Sequence, residues 1–270
     1  MKQFTRQIKV SPDTLGELTA YLLDSISTDP DKKRMAVIIC PGGGYNHVSD
    51  REGEPIAAQF LSMGYHAFVL RYSLAPHVFP ASLKELASAM AMVRANADEW
   101  KVDPNRILVC GFSAGGHLAA SLGIYWDSDF LASSLSLSKE MIKPDGMILG
   151  YPVITSGPFC HPGSFEKLLG DKAEDKEARQ FVSIETHVTS SFPKPFLWHT
   201  AADQSVPVEN SLLLAQALIQ NQVNLEMHIY PVGCHGLSLA TSEVSSPDGR
   251  CVEPQCQSWV SLVKTWLENF

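Results

Sequence analysis

Residues Ile107 to Leu122 constrain the chain more than any other stretch. A short apolar run, Ile107 to Cys110, leads into Gly111-Phe112-Ser113-Ala114-Gly115-Gly116-His117, and Ala114 to Leu122 is rich in Ala and Leu. The pattern predicts a buried strand, a sharp turn at Ser113 and a helix leaving it. Gly111 and Gly115 put small residues where such a turn would otherwise collide with its neighbours. The turn aims the Ser113 hydroxyl out of the sheet. It also sets the N–H of Ala114 at a helix N-terminus, facing any negative charge that develops there. A Gly-rich β-to-α turn without chemistry, such as a phosphate loop, can carry the same five residues, so the rest of the chain must decide.

The rest alternates strand and helix. Phe4 to Val10 and Leu15 to Leu23 read as the two edge strands of an opening hairpin, with Pro12-Asp13 as turn material. Met35 to Cys40 is a continuous apolar run, as expected of a strand buried on both faces, and ends at Pro41-Gly42-Gly43-Gly44-Tyr45. A helix is expected from Glu54-Pro55 to Gly64, a strand over His66 to Leu70 and an amphipathic helix over Pro80 to Ala97. Beyond Ser113, strands are expected over Gly146 to Val153, Pro195 to Thr200 and Asn224 to Tyr230, and helices over Val208 to Gln220 and Glu253 to Phe270. Tyr125 to Lys143 reads as polar and irregular. Thr155 to Ser191 has no strong period beyond one helical turn at Phe165 to Leu169. Both are candidate lid insertions in a single domain of residues 1–270. The rhythm predicts an α/β fold: a mostly parallel central sheet flanked by helices, with an antiparallel N-terminal hairpin and ligands at the carboxyl ends of the strands.

Charge narrows the partners. The formal net charge is −8, and the only basic cluster is Lys32-Lys33-Arg34, so a nucleic-acid partner is not expected. No stretch approaches the ~20 apolar residues of a membrane span, and Met1 to Val10 lacks the apolar core of a secretory signal. A cytoplasmic chain without membrane association is expected. The six cysteines (40, 110, 160, 234, 251, 256) are expected to be free thiols, and their spacing suggests neither a metal site nor another cofactor.

A serine hydroxyl becomes a nucleophile only with a base to take its proton and an acid residue to orient that base. Both must lie on loops at the carboxyl end of the sheet, and in this architecture they follow in the order Ser, Asp or Glu, His. Of the seven aspartates beyond Ser113, Asp145 precedes its strand, and Asp127, Asp129, Asp171, Asp175 and Asp248 lie in polar segments with no strand before them. Asp203 directly follows the strand ending at Thr200. His235 follows the last strand and is flanked by Gly233 and Gly236, which free the loop to bring its imidazole over the turn. His199 and His228 fall inside strands, His66 begins one, and His117 lies one turn into the helix, where a structural role is expected. Of the loop histidines, His47 is the one that could approach the site. Gly43, Gly44 and Ala114 are the candidate N–H donors to an oxyanion. Tyr45, Tyr151, Pro152 and Val153 are the candidate substrate-binding residues at the mouth.

With these residues assembled, nearly the whole chain resembles the α/β-hydrolase superfamily. Arg71-Tyr72-Ser73-Leu74-Ala75-Pro76, Phe79-Pro80-Ala81, Val102-Asp103-Pro104-Asn105-Arg106-Ile107 and the Ser113 motif, in that order, resemble hormone-sensitive-lipase-like esterases. The Pro41–Tyr45 loop, Arg51-Glu52-Gly53-Glu54-Pro55 and Gly163 to Gly170 look closer to small bacterial carboxylesterases of the acetyl-xylan and feruloyl esterase group. The resemblance implies a serine carboxylesterase acting on a small-molecule ester with a short or acetyl-type acyl group, and it admits a homo-oligomer. An amidase or peptidase on the same residues, kynurenine-formamidase-like or acylaminopeptidase-like, is the alternative. A catalytically silent binding protein would normally lack part of the Ser-Asp-His set. Two departures stand out: Pro41 occupies the place where the lipase-type loop has His, so other hydrogen bonds must fix that loop. Long N-terminal cap helices are also not expected before Met35.

Overall fold

The computed structural model describes every residue except Leu15 and Pro247; the start of the second expected strand at Leu15 therefore lies outside the described residues. Eight described strands form one sheet. They are β1 (Lys2–Ile8), β2 (Gly16–Leu22), β3 (Arg34–Cys40), β4 (His66–Arg71), β5 (Val102–Phe112), β6 (Gly146–Gly150), β7 (Pro195–Thr200) and β8 (Glu226–Tyr230), in the spatial order β1-β2-β4-β3-β5-β6-β7-β8. From β4 to β8 every neighbouring pair is parallel. β1 and β2 form an antiparallel hairpin, and β2 also pairs antiparallel with β4. Only β1 of the hairpin is therefore an edge. The expectation that both strands are edges is corrected by β2, whose alternate residues Leu18, Ala20 and Leu22 are buried and so belong inside the sheet.

The buried run of β3 divides by the strand period of two. Ala36, Ile38 and Cys40 pack with Leu83 and Leu86 of α2 (Ala81–Ala95), Leu118 and Ala119 of α3 (Ala114–Tyr125) and Leu214 of α8 (Glu209–Gln220). Met35, Val37 and Ile39 pack with Ile56 and Phe60 of α1 (Glu54–Ser62) and with Trp259 and Val263 of α9 (Trp259–Glu268). The sheet is thus covered on both faces, as parallel strands require. Residues 125–143 carry two short helices, α4 (Asp129–Leu135) and α5 (Lys139–Ile142), where irregular chain is expected from sequence. Only Leu131, Ala132 and Ile142 of these helices are buried in the core, too sparse a set to show as a period. α6 (Pro162–Leu169) and α7 (Lys176–Phe181) lie within 155–191. No helix among the described residues is long and apolar enough to cross a membrane.

The parallel strands matter most at their carboxyl ends. β3, β5, β6, β7 and β8 deliver residues 41–44, Ser113, Tyr151, 201–207 and 231–236 to one edge of the sheet, where the side chains singled out from sequence converge.

Candidate active site

Ser113 sits between β5 and α3 with φ 53° and ψ −121°, a left-handed backbone that costs energy for a residue with a side chain. Packing holds it there. Its N–H donates to the Gly150 carbonyl (3.0 Å), and its own carbonyl accepts from His117 and Val153 N–H (3.1 and 3.0 Å). A Cβ on Gly115 would lie 2.1 Å from the Cys40 carbonyl oxygen, and one on Gly111 would lie 2.3 Å from that of Gly115. The elbow can therefore press against the end of β3 only because these positions are glycine.

Three side chains form one hydrogen-bonded chain. Ser113 Oγ lies 2.8 Å from His235 Nε2, and His235 Nδ1 lies 2.6 Å from Asp203 Oδ2. Asp203 Oδ1 accepts the N–H groups of Ser205 and Val206, each at 2.9 Å. The carboxylate is fully enclosed, whereas the His235 side chain keeps 21 % of its exposure. Burial pushes the Asp203 carboxyl upward, but hydrogen bonds from His199 and His235 and from the Val206 N–H outweigh it. They hold Asp203 well below the usual carboxylate range. An acceptor that stays ionised fixes the proton of His235 on Nδ1 and leaves Nε2 able to take the proton of Ser113.

The Gly42–Gly44 loop lies opposite. Gly42 N–H donates to Glu52 Oε2 (2.7 Å). Gly43 (φ 125°) and Gly44 (φ 64°) turn the chain through the left-handed region. Among the described residues, neither of their N–H groups has an acceptor within the protein. Both residues line the cavity that contains Ser113 and His235. Ala114 begins α3, so its N–H lacks an intrahelical partner.

The cavity has a volume of about 460 Å³. Its remaining lining includes the polar residues Asn46, His47 and Arg51, with His161 and Lys167 from the α6 region. No residue of 125–143 lines it. The Ser164 N–H and hydroxyl both lie against His161 Nδ1 (3.2 and 2.8 Å), which places the ring proton on Nε2 as a donor. Burial first, then the nearby His235, lowers the His161 pKa and keeps it neutral.

Sequence reasoning places Tyr45, Tyr151, Pro152 and Val153 at the mouth, and the structure corrects this. None of the four lines the cavity. Tyr45 (φ 57°) and Tyr151 (φ 36°) sit on tight turns and are buried. The Tyr45 hydroxyl lies 2.8 Å from His117 Nδ1, and the Tyr151 ring packs edge-on beneath His235 with centroids 5.2 Å apart. Pro152 lies against Gly116 of the elbow helix, and Val153 is in the core. His117 is fully buried, as expected of a structural residue. The sequence singles out His47 among the loop histidines, and the cavity is lined by His47 and also by His161 and Glu52; a Glu two residues before a helix and a His at a helix start carry no stronger signal.

All six cysteines are free. Cys234, next to His235, has its thiol pushed up to about 11, by burial and by a hydrogen bond with Cys251 at 3.0 Å. It remains a protonated thiol, whereas the Ser113 hydroxyl lies within hydrogen-bond distance of an imidazole nitrogen.

Residues 25–218 match the model of the BD-FAE family. The chain belongs to that family. Endo-1,4-beta-xylanase B of Butyrivibrio fibrisolvens is 36 % identical over 86 % of this chain, which spans only 36 % of that relative's length. Among solved structures, an acetyl ester-xyloside bifunctional hydrolase from Caldicellulosiruptor lactoaceticus is 38 % identical, with a TM-score of 0.82, over 96 % of this chain and 89 % of that one. The carboxylesterase Cest-2923 from Lactobacillus plantarum is 31 % identical, with a TM-score of 0.87, over 100 % and 98 %. The fold is the α/β-hydrolase fold, shared with these solved structures, of which Cest-2923 bears the name carboxylesterase.

Proposed function

We propose that the protein is a serine carboxylesterase that removes short, acetyl-type acyl groups, with acetylated sugars as the substrate class. The observation that carries this reading is the unbroken chain from Ser113 Oγ through His235 to Asp203, beside two N–H groups without an acceptor among the described residues, in one cavity. In the reading, Ser113 Oγ attacks the ester carbonyl while His235 Nε2 takes its proton. The tetrahedral oxyanion accepts hydrogen bonds from Gly43, Gly44 and Ala114 N–H. His235 then returns the proton to the departing alcohol, and a water activated by the same nitrogen hydrolyses the acyl-Ser113 ester.

The alcohol side of the reading rests on the cavity wall. Asn46, His161 and Lys167 offer donors and acceptors to hydroxyl groups, and the lining provides no long apolar groove. An acyl groove would reward each added methylene by about 0.8 kcal/mol, so a protein that binds fatty chains should gain steadily with acyl length. The names of its relatives, an acetyl ester-xyloside hydrolase and a xylanase among them, point the same way.

The test is kcat/KM for p-nitrophenyl esters of two to twelve carbons below micelle formation, beside an acetylated xylo-oligosaccharide and N-formylkynurenine. A maximum at two to four carbons with release of acetate from the sugar is expected. A maximum at eight carbons or beyond would sink the short-acyl reading, and preferential turnover of the formamide would replace the ester with an amide.

A further inference from the structure

A run of three glycines is the least rigid backbone a chain can offer, yet oxyanion donors work only when they are already aimed. In lipase-type loops a His precedes the glycines, and here that place is taken by Pro41. Something else must hold the loop. The Tyr72 hydroxyl donates to the Pro41 carbonyl at 2.7 Å, which fixes the first residue but not the glycines.

We infer that Glu52 is the positioning residue for these donors, and that it couples the glycine loop to the loop carrying His235. This inference rests on the proposed roles of Ser113, Gly43 and Gly44. Glu52 is 3 % exposed, and among the described residues no cation pairs with it. Its Oε2 accepts the Gly42 N–H at 2.7 Å, and its Oε1 accepts the Tyr151 hydroxyl at 2.6 Å. The Tyr151 oxygen in turn accepts the N–H of Ser238 at 2.8 Å, and the Ser238 carbonyl accepts Trp259 Nε1 at 2.9 Å. One carboxylate thus ties the end of β3 to the end of β6 and, through Tyr151, to the chain three residues past His235.

The fit is tight on the reacting side. A Cβ on Gly42 would lie 2.8 Å from Glu52 Oε2 and 2.9 Å from the Ser113 Cβ, so the carboxylate and the nucleophile approach the same glycine. A buried carboxylate without a cation is a costly way to fill space, and an apolar side chain would serve stability better. What the carboxylate supplies is two acceptor oxygens pointing at two loops. It also spends the Gly42 N–H, so that Gly43 and Gly44 are left as the donors that face the cavity. Tyr151 belongs to the same device. Its ring supports His235 while its hydroxyl supports the glycine loop.

The experiment compares Glu52→Gln, Tyr151→Phe and Ser113→Ala with the wild-type chain. It reads kcat and KM for p-nitrophenyl acetate, affinity for a boronic acid that mimics the tetrahedral state, affinity for the product alcohol, and Tm. An amide at position 52 turns an N–H toward one of its two donors, so Glu52→Gln should lower kcat by about ten- to a hundredfold with KM within about threefold. Boronate affinity should fall in parallel with kcat while product affinity holds. Tyr151→Phe should shift the same quantities in the same direction by less, and it serves if Glu52→Gln does not fold. A kcat within threefold of wild type in the folded variants would overturn the inference, as would equal losses of boronate and product affinity. If Ser113→Ala is inactive while Glu52→Gln is unaffected, only the inference fails. If Ser113→Ala still turns over ester, the reading beneath it fails as well.

Discussion

The two walls of the cavity are built by opposite means. On the elbow wall, backbone meets backbone: hypothetical Cβ atoms on Gly111 and Gly115 fall 2.3 and 2.1 Å from carbonyl oxygens, and one on Gly116 falls 2.7 Å from Pro152. On the wall made by residues 161–167, a Cβ on Gly163 would have its nearest neighbour at 3.7 Å, and the side chains that line the cavity, His161 and Lys167, are only partly covered or exposed. The first wall holds the groups proposed to react in one geometry. The second leaves room for substitution. Attack on an ester needs the same geometry whatever the alcohol, while the alcohol differs from substrate to substrate, so rigidity and latitude lie where the chemistry wants each.

The sharpest break of the comparison lies on the elbow wall. Ser113→Ala should lower kcat by at least about a thousandfold with the fold intact, because in the proposed reaction the side chain supplies the nucleophile and little packing; a folded variant with a tenth of wild-type activity would remove Ser113 from its role. Asp203→Asn should cost about 10²- to 10⁴-fold in kcat, since an amide no longer selects the Nδ1–H tautomer of His235. Glycines offer a matched pair. Gly115→Ala should destabilise by about 3 kcal/mol or more or prevent folding, because its clash is with backbone, whereas Gly163→Ala should leave Tm and kcat/KM within error. Equal tolerance at both positions, measured by thermal melts, would erase the contrast between the walls.

A smaller effect tests the open wall. Lys167→Ala should raise KM severalfold for acetylated xylo-oligosaccharides while leaving p-nitrophenyl acetate unchanged, since the small ester does not reach α6. A uniform change across both substrates would place Lys167 with the reacting groups instead.

The same contrast explains what could be read from sequence. Ser113, Asp203 and His235 are legible because each follows a strand whose apolar run is visible, and Ser113 and His235 also sit among glycines that their turns require. Every parallel strand was legible for the same reason. Glu52 was not, because its meaning depends on Tyr151, 99 residues away, and on a glycine N–H that no pattern marks. Tyr45 and Tyr151 misled because an aromatic after a strand end is expected at the mouth. Their positive φ values, invisible in the sequence, turn both rings inward. The helices of 125–143 are not legible because their buried residues are too few to show a period.

The smallest effect lies beneath the rigid wall and is one of stability. His117 donates Nε2–H to the Val182 carbonyl at 2.8 Å and accepts the Tyr45 hydroxyl at Nδ1, also at 2.8 Å, so the neutral ring satisfies both partners. Burial, opposed only in part by the Val182 bond, lowers its pKa to about 4. Burial likewise lowers that of His66, beneath the hairpin, to about 4. In the unfolded chain each returns to about 6.5, so between these values the unfolded state binds more protons than the native one, and stability must rise with pH. The contribution of the neutral rings is fully present above about pH 6.5 and is lost as pH falls toward 4. At its steepest, one such proton is worth about 1.4 kcal/mol per pH unit. His117→Gln should therefore lower stability at pH 7, through lost packing and an imperfect replacement of two hydrogen bonds. It should also flatten the dependence between pH 6.5 and 4, leaving the shares that belong to His66 and His161. Denaturant melts of both proteins at pH 7, 6, 5 and 4 give the comparison, and parallel curves would mean that His117 is not the group the elbow helix keeps neutral.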